Sequence, residues 1–371
     1  MIYLDNAATT LRKPLAVIEA VNRAMIRFAN PGRGGHSAAV KAAEAVYDAR
    51  KLSAELFDCT PEQVCFTFNA THGLNIAIRT MVRPRDRVVI SGLEHNAVTR
   101  PLNAVGASVS VVRSPLFSPE QWLEAFQKEL AAKPSAVICT HVSNVFGAVM
   151  PVDEIASVCA EKGIPLIVDA SQSAGVLPVH LKKWKAAFVA MPGHKGLLGP
   201  QGTGILLCGR KPEPLLFGGT GSNSLEQTMP ELTPDRIEAG TMNVPGICGL
   251  GAAIRVLRGR SPEMDLRQER ELLTRCADNL KQLGAEVFTG SGQVGVLSFR
   301  FPGRDPEDVS AAYADRGIAL RAGLHCAPLA HETGGTLPEG TVRLSLSCMT
   351  NRKEIDEFVA ASGELFGKKR V

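Results

Sequence analysis

The stretch Pro165–Gln172, PLIVDASQ, joins a short apolar run to a set of polar side chains. The run Pro165–Val168 is rich in branched residues and apolar on both faces, which is typical of a strand buried in a parallel sheet. Asp169, Ser171 and Gln172 follow it directly. Ligands of open α/β sheets bind at the carboxyl ends of the strands, so this stretch predicts both the fold class and a ligand site at the sheet edge.

The same pattern of short apolar runs recurs on both sides of this stretch. Helix-like segments with apolar residues at helical spacing lie between the runs, for example Ser37–Phe57 and Pro151–Glu161. Alternation of strand and helix predicts an α/β domain with a mostly parallel sheet. The other candidate strands are Gln63–Phe68, Arg87–Ile90, Ala136–Cys139, Ala187–Ala190 and Gly204–Cys208.

The pattern changes after about Leu250. A long charged helix is expected over Pro262–Leu283, and short strands follow near Val294–Arg300 and Thr341–Ser345, before a final helix near Arg352–Phe366. These elements are typical of a smaller α+β domain. We therefore expect residues 14–250 to form a large α/β domain, and residues 1–13 and 251–371 to form the small one.

Composition excludes several classes of protein. The 371 residues carry 41 Lys and Arg against 37 Asp and Glu, and this net charge of +4 gives no reason to expect a nucleic-acid or membrane-surface partner. No apolar run approaches the length of a membrane span, and the start MIYLDNAATT lacks the pattern of a signal peptide. The nine cysteines show no CxxC or metal-ligand spacing, which predicts reduced thiols in a cytoplasmic protein without a metal site.

Polar groups follow five of the candidate strands, and four of the eight histidines are among them. Any one such group is explained equally well as a helix cap or a satisfied loop residue, but five at one sheet edge favour a site. The groups are Asn69–Gly73, Ser91–Asn96, the set Thr140, His141, Ser143 and Asn144, the set Asp169, Ser171 and Gln172, and Gly193–Gly196.

Three of these groups suit one cofactor. Thr71 lies at a helix start, where backbone N–H groups and a hydroxyl could hold a phosphate, although helix capping explains it equally well. Asp169 ends an apolar strand, so its carboxylate needs a cationic or N–H partner, or else caps a turn. Lys195 lies in the glycine-rich turn GHKGLLGPQGTG, where a lysine can have a lowered pKa, although an exposed lysine is the commoner case. A phosphate-binding helix start, a buried carboxylate and a lysine of lowered pKa are together typical of a pyridoxal-phosphate site.

Six motifs in order resemble a known family over nearly the whole chain, from Tyr3–Thr10 (YLDNAATT) to Val342–Phe358. The sequence is similar to class V aminotransferase-fold enzymes of the cysteine desulfurase and selenocysteine lyase type. This resemblance implies the α/β fold of type I pyridoxal-phosphate-dependent transferases, with a mostly parallel seven-stranded sheet in the large domain and a smaller α+β C-terminal domain. The motifs are LEHNA (93–97), SNVFGAVMPV (143–152), VDASQSAG (168–175), GHKGLLGPQGTG (193–204), EAGTMN (238–243) and RAGLHCAP (321–328).

The resemblance implies roles around the ring of pyridoxal 5'-phosphate. Lys195 would bind the cofactor's aldehyde covalently and later move protons, and Asp169 would hold the pyridinium N–H. Gln172 would donate to the phenolate oxygen of the ring. His95 would stack on the ring and act as an acid or base, and Asn144 would lie near the ring and the substrate amine.

The resemblance also implies how the phosphate is held. Thr71 and His194 would bind it, with His72 adding a backbone N–H, and Thr241 would reach the phosphate of a neighbouring subunit in a homodimer. Two departures from the family pattern each remove a hydroxyl donor. Pro192 stands where Ser or Thr is usual, and Ala70 stands where a second Thr is common.

For the reaction, the resemblance implies that Arg343 clamps the substrate α-carboxylate and that Cys326 is the nucleophile. L-cysteine would give L-alanine and a persulfide on Cys326. The motif RAGLHCAP resembles the branch with a short catalytic loop, which implies that the sulfur passes to a dedicated acceptor protein. The segment Ala330–Glu339 differs from the corresponding segment of that branch, so the resemblance does not identify the substrate or the acceptor.

Three alternatives remain. The first is a selenocysteine lyase or another pyridoxal-phosphate-dependent C–S or C–Se lyase that also uses Cys326. The second is an aminotransferase or epimerase of the class V family in which Cys326 is incidental. The third is a non-catalytic protein that kept the fold, against which the intact set Lys195, Asp169, Gln172, His95 and Arg343 argues.

Overall fold

A computed structural model describes residues 1–32, 34–222 and 224–367. The helices are α1 (Leu15–Arg27), α2 (Ser37–Leu56), α3 (Ala70–Met81), α4 (Asn96–Val105), α5 (Pro119–Leu130), α6 (Val152–Lys162), α7 (Leu181–Trp184), α8 (Val244–Arg258), α9 (Pro262–Gln282), α10 (Pro306–Ala314), α11 (Pro328–Thr333) and α12 (Arg352–Phe366). The strands are β1 (Ile2–Tyr3), β2 (Val64–Thr67), β3 (Arg87–Ser91), β4 (Ser108–Val112), β5 (Ala136–Thr140), β6 (Leu166–Asp169), β7 (Phe188–Pro192), β8 (Gly204–Cys208), β9 (Glu286–Phe288), β10 (Val296–Arg300), β11 (Ile318–Ala319), β12 (Arg321–Gly323) and β13 (Thr341–Ser345).

The central sheet has seven strands in the order β2-β8-β7-β6-β5-β3-β4. The pairs β3–β4, β3–β5, β5–β6 and β6–β7 are parallel, and β8 runs antiparallel to both of its neighbours. Apolar clusters cover both faces, as the both-face apolar pattern of the strands requires. The expected α/β class with a mostly parallel seven-stranded sheet is therefore confirmed.

Each of the six candidate strands is present, with ends shifted by at most two residues. In the central sheet, the sequence pattern missed β4, which lies at the edge beside β3; in the C-terminal part it missed the short strands β9, β11 and β12. The β4 residues SVSVV alternate serine and valine and are mostly exposed or half-buried. A half-covered edge strand lacks the continuous apolar run that marked its neighbours.

The C-terminal part builds a second sheet in the order β12-β13-β10-β9, with α9, α10 and α12 packed around a separate apolar cluster. The expected mixture of helices and short strands and the final helix are present in this part of the chain. Strand β1 pairs with β11, which ties the N-terminus to this part. The predicted domain boundary after residue 250 falls inside α8, which packs on α1 and α2, so the division into domains stays a prediction.

Among the described residues, no helix combines the length and the apolar character needed to cross a bilayer.

Candidate active site

A cavity of about 500 Å³ lies at the carboxyl ends of the central strands. The sheet register places Thr140, Asp169 and Ala190 side by side at this edge. The predicted site residues that line this cavity are Thr71, His95, Asn144, Asp169, Gln172, His194 and Lys195.

Asp169 and Lys195 are the two charged groups of this cavity. Asp169 is 3% exposed, and its Oδ1 accepts the Ser171 N–H at 2.9 Å, which is a local turn contact. Within the described ranges, neither side chain forms a salt bridge, and the Lys195 amine makes no hydrogen bond. Burial lowers the pKa of Lys195 to about 8, partly opposed by the charge of Asp169. The cavity thus holds an acid whose hydrogen bond is to a nearby backbone N–H and an amine without a hydrogen bond, and neither is in a salt bridge in the described part of the chain.

His95 begins helix α4 as its N-terminal cap. Its Nδ1 accepts the Ala97 N–H at 3.0 Å. Burial lowers the pKa of His95, so the neutral ring is favoured. Because Nδ1 is an acceptor in that ring, Nε2 carries the proton and is free to donate.

Glu94, directly before His95, is a buried carboxyl to which we assigned no role from the sequence. It is fully buried, and its Oε1 accepts the Ser91 hydroxyl at 2.6 Å and the Thr140 N–H at 2.7 Å, while Oε2 has no partner. Burial raises its pKa to about 8. The side chain therefore joins the ends of the neighbouring strands β3 and β5. A carboxylate that closely follows an apolar strand was the available signal for it.

The start of helix α3 differs in two details from the sequence prediction. Asn69 caps this helix and accepts the His72 N–H at 2.9 Å, so Thr71 is not the cap. The His72 N–H, which we expected to contribute to a phosphate site, donates to this cap, and its contribution to a phosphate site stays a prediction. The His72 ring lies outside the cavity and stacks on Phe68 at 4.7 Å between ring centroids. Thr71 remains at the cavity wall on the first helical turn.

Within one chain, Thr241 lies outside the cavity that Asp169 and Lys195 line. It is exposed and borders a different cavity, which it shares with His72. Its expected contact with the phosphate of a neighbouring subunit stays a prediction.

The N-terminal segment Tyr3–Thr10 supports the cavity from one side. The Gln172 amide donates to the Ala7 carbonyl at 2.9 Å, and the His194 Nδ1 lies 3.0 Å from the Thr9 hydroxyl. Burial lowers the pKa of His194 to about 4, so its ring is neutral at pH 7. We did not foresee these contacts, because the motif YLDNAATT carries no periodic pattern that shows where it packs.

Arg343 is buried beside the cavity on β13 and is already paired. Its Nη2 donates to the Asp5 carboxylate at 2.9 Å, and its Nη1 donates to the Asn144 carbonyl at 2.9 Å. The guanidinium is 2% exposed, and its Nε has no partner in the described part of the chain. Asp5 is a second acidic residue that we did not assign from the sequence.

Cys326 lies in a tight turn closed by a bond from the Ala327 N–H to the Leu324 carbonyl, at 2.9 Å. The two central residues, His325 and Cys326, have φ of 49° and 56°. Two positive φ values are the pattern of a type I′ turn, which normally selects glycine or asparagine. A left-handed conformation costs a residue with a side chain about 1–2 kcal/mol, so this turn is strained.

Two hydrogen bonds tie the strained turn to the cavity wall. The Asn96 N–H, next to His95, donates to the Cys326 carbonyl at 2.8 Å. The Asn144 side chain, which lines the cavity, donates to the His325 carbonyl at 2.9 Å. Cys326 is therefore adjacent to the cavity although it does not line it.

Exposure separates Cys326 from the other cysteines, all nine of which the structure describes as free thiols. Cys326 is exposed, and the other eight are buried or half-buried. Burial raises the pKa of Cys59, Cys159 and Cys276 to about 12, and that of Cys248 and Cys348 to about 11. Thiols with such pKa values are protonated at pH 7 and unsuited to nucleophilic attack.

Comparison with known proteins identifies the family. Residues 2–358 match the family model "Aminotransferase class-V". A probable cysteine desulfurase from Pyrococcus abyssi is 32% identical, over 98% of this chain and 94% of that protein. A solved apo structure of a cysteine desulfurase from Thermococcus onnurineus superposes with a TM-score of 0.89 at 31% identity, covering 98% of this chain and 94% of the other. A cysteine desulfurase from Escherichia coli, solved with an S-sulfonic acid, gives a TM-score of 0.85 at 26% identity over 98% of this chain and 94% of that chain. On this evidence, the chain belongs to the cysteine desulfurase family of class V aminotransferases.

Proposed function

We propose that this enzyme is a pyridoxal-phosphate-dependent cysteine desulfurase that moves the sulfur of L-cysteine onto Cys326 and releases L-alanine. One observation carries the proposal. Asp169 and Lys195, an acid and an amine that form no salt bridge in the described ranges, line one cavity, and the one exposed cysteine lies on a turn bonded to the wall of that cavity. The family membership established above agrees with it.

The residues of the cavity fit the cofactor. A buried carboxylate without a cationic partner is costly, and Asp169, which accepts the Ser171 N–H, would gain such a partner in the N–H of a pyridinium ring. Lys195, with its pKa lowered to about 8, is partly neutral near physiological pH and can attack an aldehyde. Thr71 and the free N–H groups at the start of α3 suit a phosphate. Gln172 keeps one amide proton beyond its bond to Ala7 for the ring oxygen.

When bound, pyridoxal phosphate supplies an electron sink that acidifies the Cα proton of a bound amino acid. Lys195 is the base that we assign to that proton, because its lowered pKa leaves part of the amine neutral. The His95 Nε2–H is oriented by the Ala97 contact at Nδ1 and is available to donate a proton at the substrate. The Arg343 guanidinium binds the substrate carboxylate with the N–H groups that Asp5 and Asn144 leave free.

Cys326 takes the sulfur. Its thiolate attacks the substrate sulfur, and a new S–S bond forms as the Cβ–S bond of the substrate breaks. The electron pair of the broken bond stays with the carbon skeleton, which accepts a proton to become alanine. The products are alanine and a Cys326 persulfide, so no external oxidant or reductant is needed for this half of the reaction.

The assembly and the sulfur acceptor are further parts of the proposal. We infer a homodimer in which Thr241 completes the phosphate site of the other subunit. The apolar side chains that α1 exposes support it, since Leu15, Met25 and Ile26 are each more than two-thirds exposed. The persulfide on exposed Cys326 is expected to pass to an acceptor protein, and this chemistry requires the reduced thiols of a cytoplasm.

The test is to load the purified enzyme with pyridoxal phosphate, add L-cysteine, and measure sulfide in the presence of a thiol together with alanine. Cys326→Ala should abolish release of sulfide from cysteine, because no other thiol can receive the sulfur, while cofactor absorbance stays unchanged. Mass spectrometry of the enzyme treated with cysteine should show one added sulfur on the Cys326 peptide.

Cys348→Ala is the matched control, because Cys348 is half-buried and its pKa is raised to about 11. It should keep full activity. A Cys326→Ala variant that still desulfurates cysteine would contradict the proposed persulfide step. Turnover of L-selenocysteine alone would replace the proposal by a selenocysteine lyase, and transamination without sulfide would replace it by an aminotransferase.

A further inference from the structure

Asp5 contacts two arginines that approach the site from neighbouring strands. Its Oδ1 accepts from Arg343 Nη2 at 2.9 Å, and its Oδ2 accepts from Arg321 Nε at 2.9 Å and lies 2.9 Å from Arg321 Nη2 in the same ion pair. The Asp5 and Arg343 side chains are 10% and 3% exposed, whereas that of Arg321 is 51% exposed. One nearly buried carboxylate thus holds one buried and one exposed guanidinium.

The contact with Asp5 determines how the Arg343 guanidinium is turned. Its Nη2 is held by Asp5 and its Nη1 by the Asn144 carbonyl, so two fixed acceptors define the plane of the group. With either acceptor missing, the group could rotate about the remaining bond. Bidentate binding of a carboxylate requires two N–H groups in one plane and is lost when that plane tilts.

The contact with Arg321 reaches the strand that leads to Cys326. Arg321 lies directly opposite Arg343 in the β12–β13 register, and β12 ends at Gly323, just before the turn that holds Cys326. Like charges directly opposite each other destabilise a strand pair. Asp5 offsets that repulsion and binds both strands to one point.

Asp5 is itself fixed by the backbone on both sides. The Ser345 N–H donates to the Leu4 carbonyl at 2.7 Å, and the Ala7 N–H donates to the Ser345 hydroxyl at 2.8 Å. The Asn6 amide donates to the Ser345 carbonyl at 2.9 Å. The carboxylate therefore projects from a segment that is bonded to the end of β13, the strand that carries Arg343.

We propose that Asp5 is a positioning residue that orients Arg343 for the substrate carboxylate and, through Arg321, holds the strand that carries the Cys326 turn. This inference rests on the proposed function for the identity of the substrate. It assigns Asp5 no contact with substrate or cofactor. Its effect is to couple the binding of the α-carboxylate to the placement of the nucleophile.

The test compares Asp5→Ala, Asp5→Asn and the control Arg12→Gln in the cofactor-loaded enzyme. Hydrogen bonds to charged groups correspond to about ten- to hundredfold in a binding constant. Asp5→Ala should therefore raise KM for L-cysteine at least tenfold, with a smaller fall in kcat, and weaken L-alanine binding, followed by cofactor absorbance, by a similar factor. Asp5→Asn keeps an acceptor oxygen and should lie between Asp5→Ala and the wild type. Arg12→Gln breaks the ion pair of the N-terminal region with Glu354, neither residue of which lines the cavity, and should change neither value.

A second measurement tests the link to Cys326. Asp5→Asn and Arg321→Gln should each change the rate of Cys326 alkylation by iodoacetamide threefold or more. The double variant should not exceed the larger single effect, because both changes break the same connection. Effects that multiply would overturn the coupling.

The outcomes separate this inference from the proposed function. If the wild type does not desulfurate cysteine but Asp5→Ala still weakens L-alanine binding, the proposed function fails and the positioning role stands. If the wild type is active and the folded Asp5→Asn and Asp5→Ala variants bind L-alanine and cysteine within twofold of it, the positioning role is wrong. Should Asp5→Ala fail to fold, the isosteric Asp5→Asn decides alone, with a threefold rise in KM as the minimum effect that supports the proposal.

Discussion

The sheet edge around Asp169 and the turn around Cys326 are neighbours, but they are built differently. Asp169 ends a strand that is paired on both sides and buried on both faces. Cys326 is exposed on a turn with two left-handed residues, and a few hydrogen bonds hold that turn in place. In a sheet, the backbone hydrogen bonds between strands fix the positions of buried charged residues, so side-chain contacts are not needed for this. A strained turn needs contacts from other elements, and this chain supplies them from Asn96, Asn144 and, through β12, from Asp5.

This difference between the sheet edge and the Cys326 turn suggests that the two regions serve different parts of the proposed reaction. The groups that we assign to the cofactor lie at the sheet edge, where burial lowers the pKa of Lys195. Cys326, the nucleophile that we propose, lies exposed on a turn with backbone strain, where the proposed acceptor protein could reach it. If this difference holds, properties of the sheet edge should depend on burial, and the placement of Cys326 should depend on the backbone geometry of its turn.

The largest expected effect concerns Glu94. Its folded-state pKa of about 8 lies above its ordinary value of 4.5. Between pH 4.5 and 8 the unfolded chain therefore loses a proton that the folded chain keeps, and stability falls as pH rises through this window. Glu94→Gln keeps an acceptor for Ser91 and Thr140 but cannot ionise, so it should be more stable than the wild type at pH 8.5 by an amount on the order of 3 kcal/mol. Urea unfolding at pH 5, 7 and 8.5 measures it.

Glu129→Gln is the control for that experiment. Glu129 forms a half-exposed ion pair with Arg87 at the start of strand β3, whose end lies just before Glu94. Its removal should change stability by less than about 0.5 kcal/mol, with no trend over this pH range. A constant difference between wild type and Glu94→Gln from pH 5 to 8.5 would show that the Glu94 carboxyl ionises as easily in the folded chain as in the unfolded one.

The next effect concerns the rate at which Lys195 captures the cofactor. A neutral amine is required, and a pKa of about 8 leaves about 1% of it neutral at pH 6 and half of it at pH 8. The rate of absorbance change after mixing the cofactor-free enzyme with pyridoxal phosphate should thus rise about fiftyfold between these pH values and level off above pH 9. Nα-acetyl-lysine in solution, with an ordinary amine pKa, should continue to accelerate up to pH 10. An enzyme that behaves like the model compound would contradict the assigned burial of Lys195.

The two regions also differ in how far they could be predicted from sequence. The strands around Asp169 carry an apolar pattern that depends only on neighbouring residues, and the polar groups after them are brought together by one rule of sheet topology. Thr71, His95, Asn144, Asp169, Gln172, His194 and Lys195 were therefore expected at one edge, and they line one cavity. Their roles stay predictions. Strand β4 was missed because half of it faces solvent.

The surroundings of Cys326 and Arg343 could not be predicted in this way. Asp5 and Arg343 are 338 positions apart in the chain, and neither local sequence has a pattern that predicts the contact. The positive φ values at His325 and Cys326 fall on residues that turn rules do not select. The family resemblance named Cys326 and Arg343 as residues, but the contacts that orient them follow only from the folded chain.

The smallest expected effect, and the one that tests the turn, concerns Gly323 at the end of β12. Its φ is 93°, and an added Cβ would meet no atom within 4 Å, so Gly323→Ala introduces backbone strain without a clash. The expected loss of stability is about 1 kcal/mol. The strain would shift the start of the Cys326 turn, so desulfuration should fall several-fold while the cofactor spectrum, which depends on the sheet edge, stays unchanged.

Gly303→Ala provides the matched control, because Gly303 has a φ of 75°, is equally open, and lies in a surface turn that does not border the cavity. It should lose a similar amount of stability, measured by urea unfolding, and no activity. If both variants lose stability equally and neither loses activity, the placement of the turn does not limit the reaction, and the constraint on Cys326 then lies in its bonds to Asn96 and Asn144 rather than in β12. A fall in activity for Gly323→Ala alone would show that a strain of about 1 kcal/mol, too small to affect the fold, is enough to misplace a nucleophile carried on a turn.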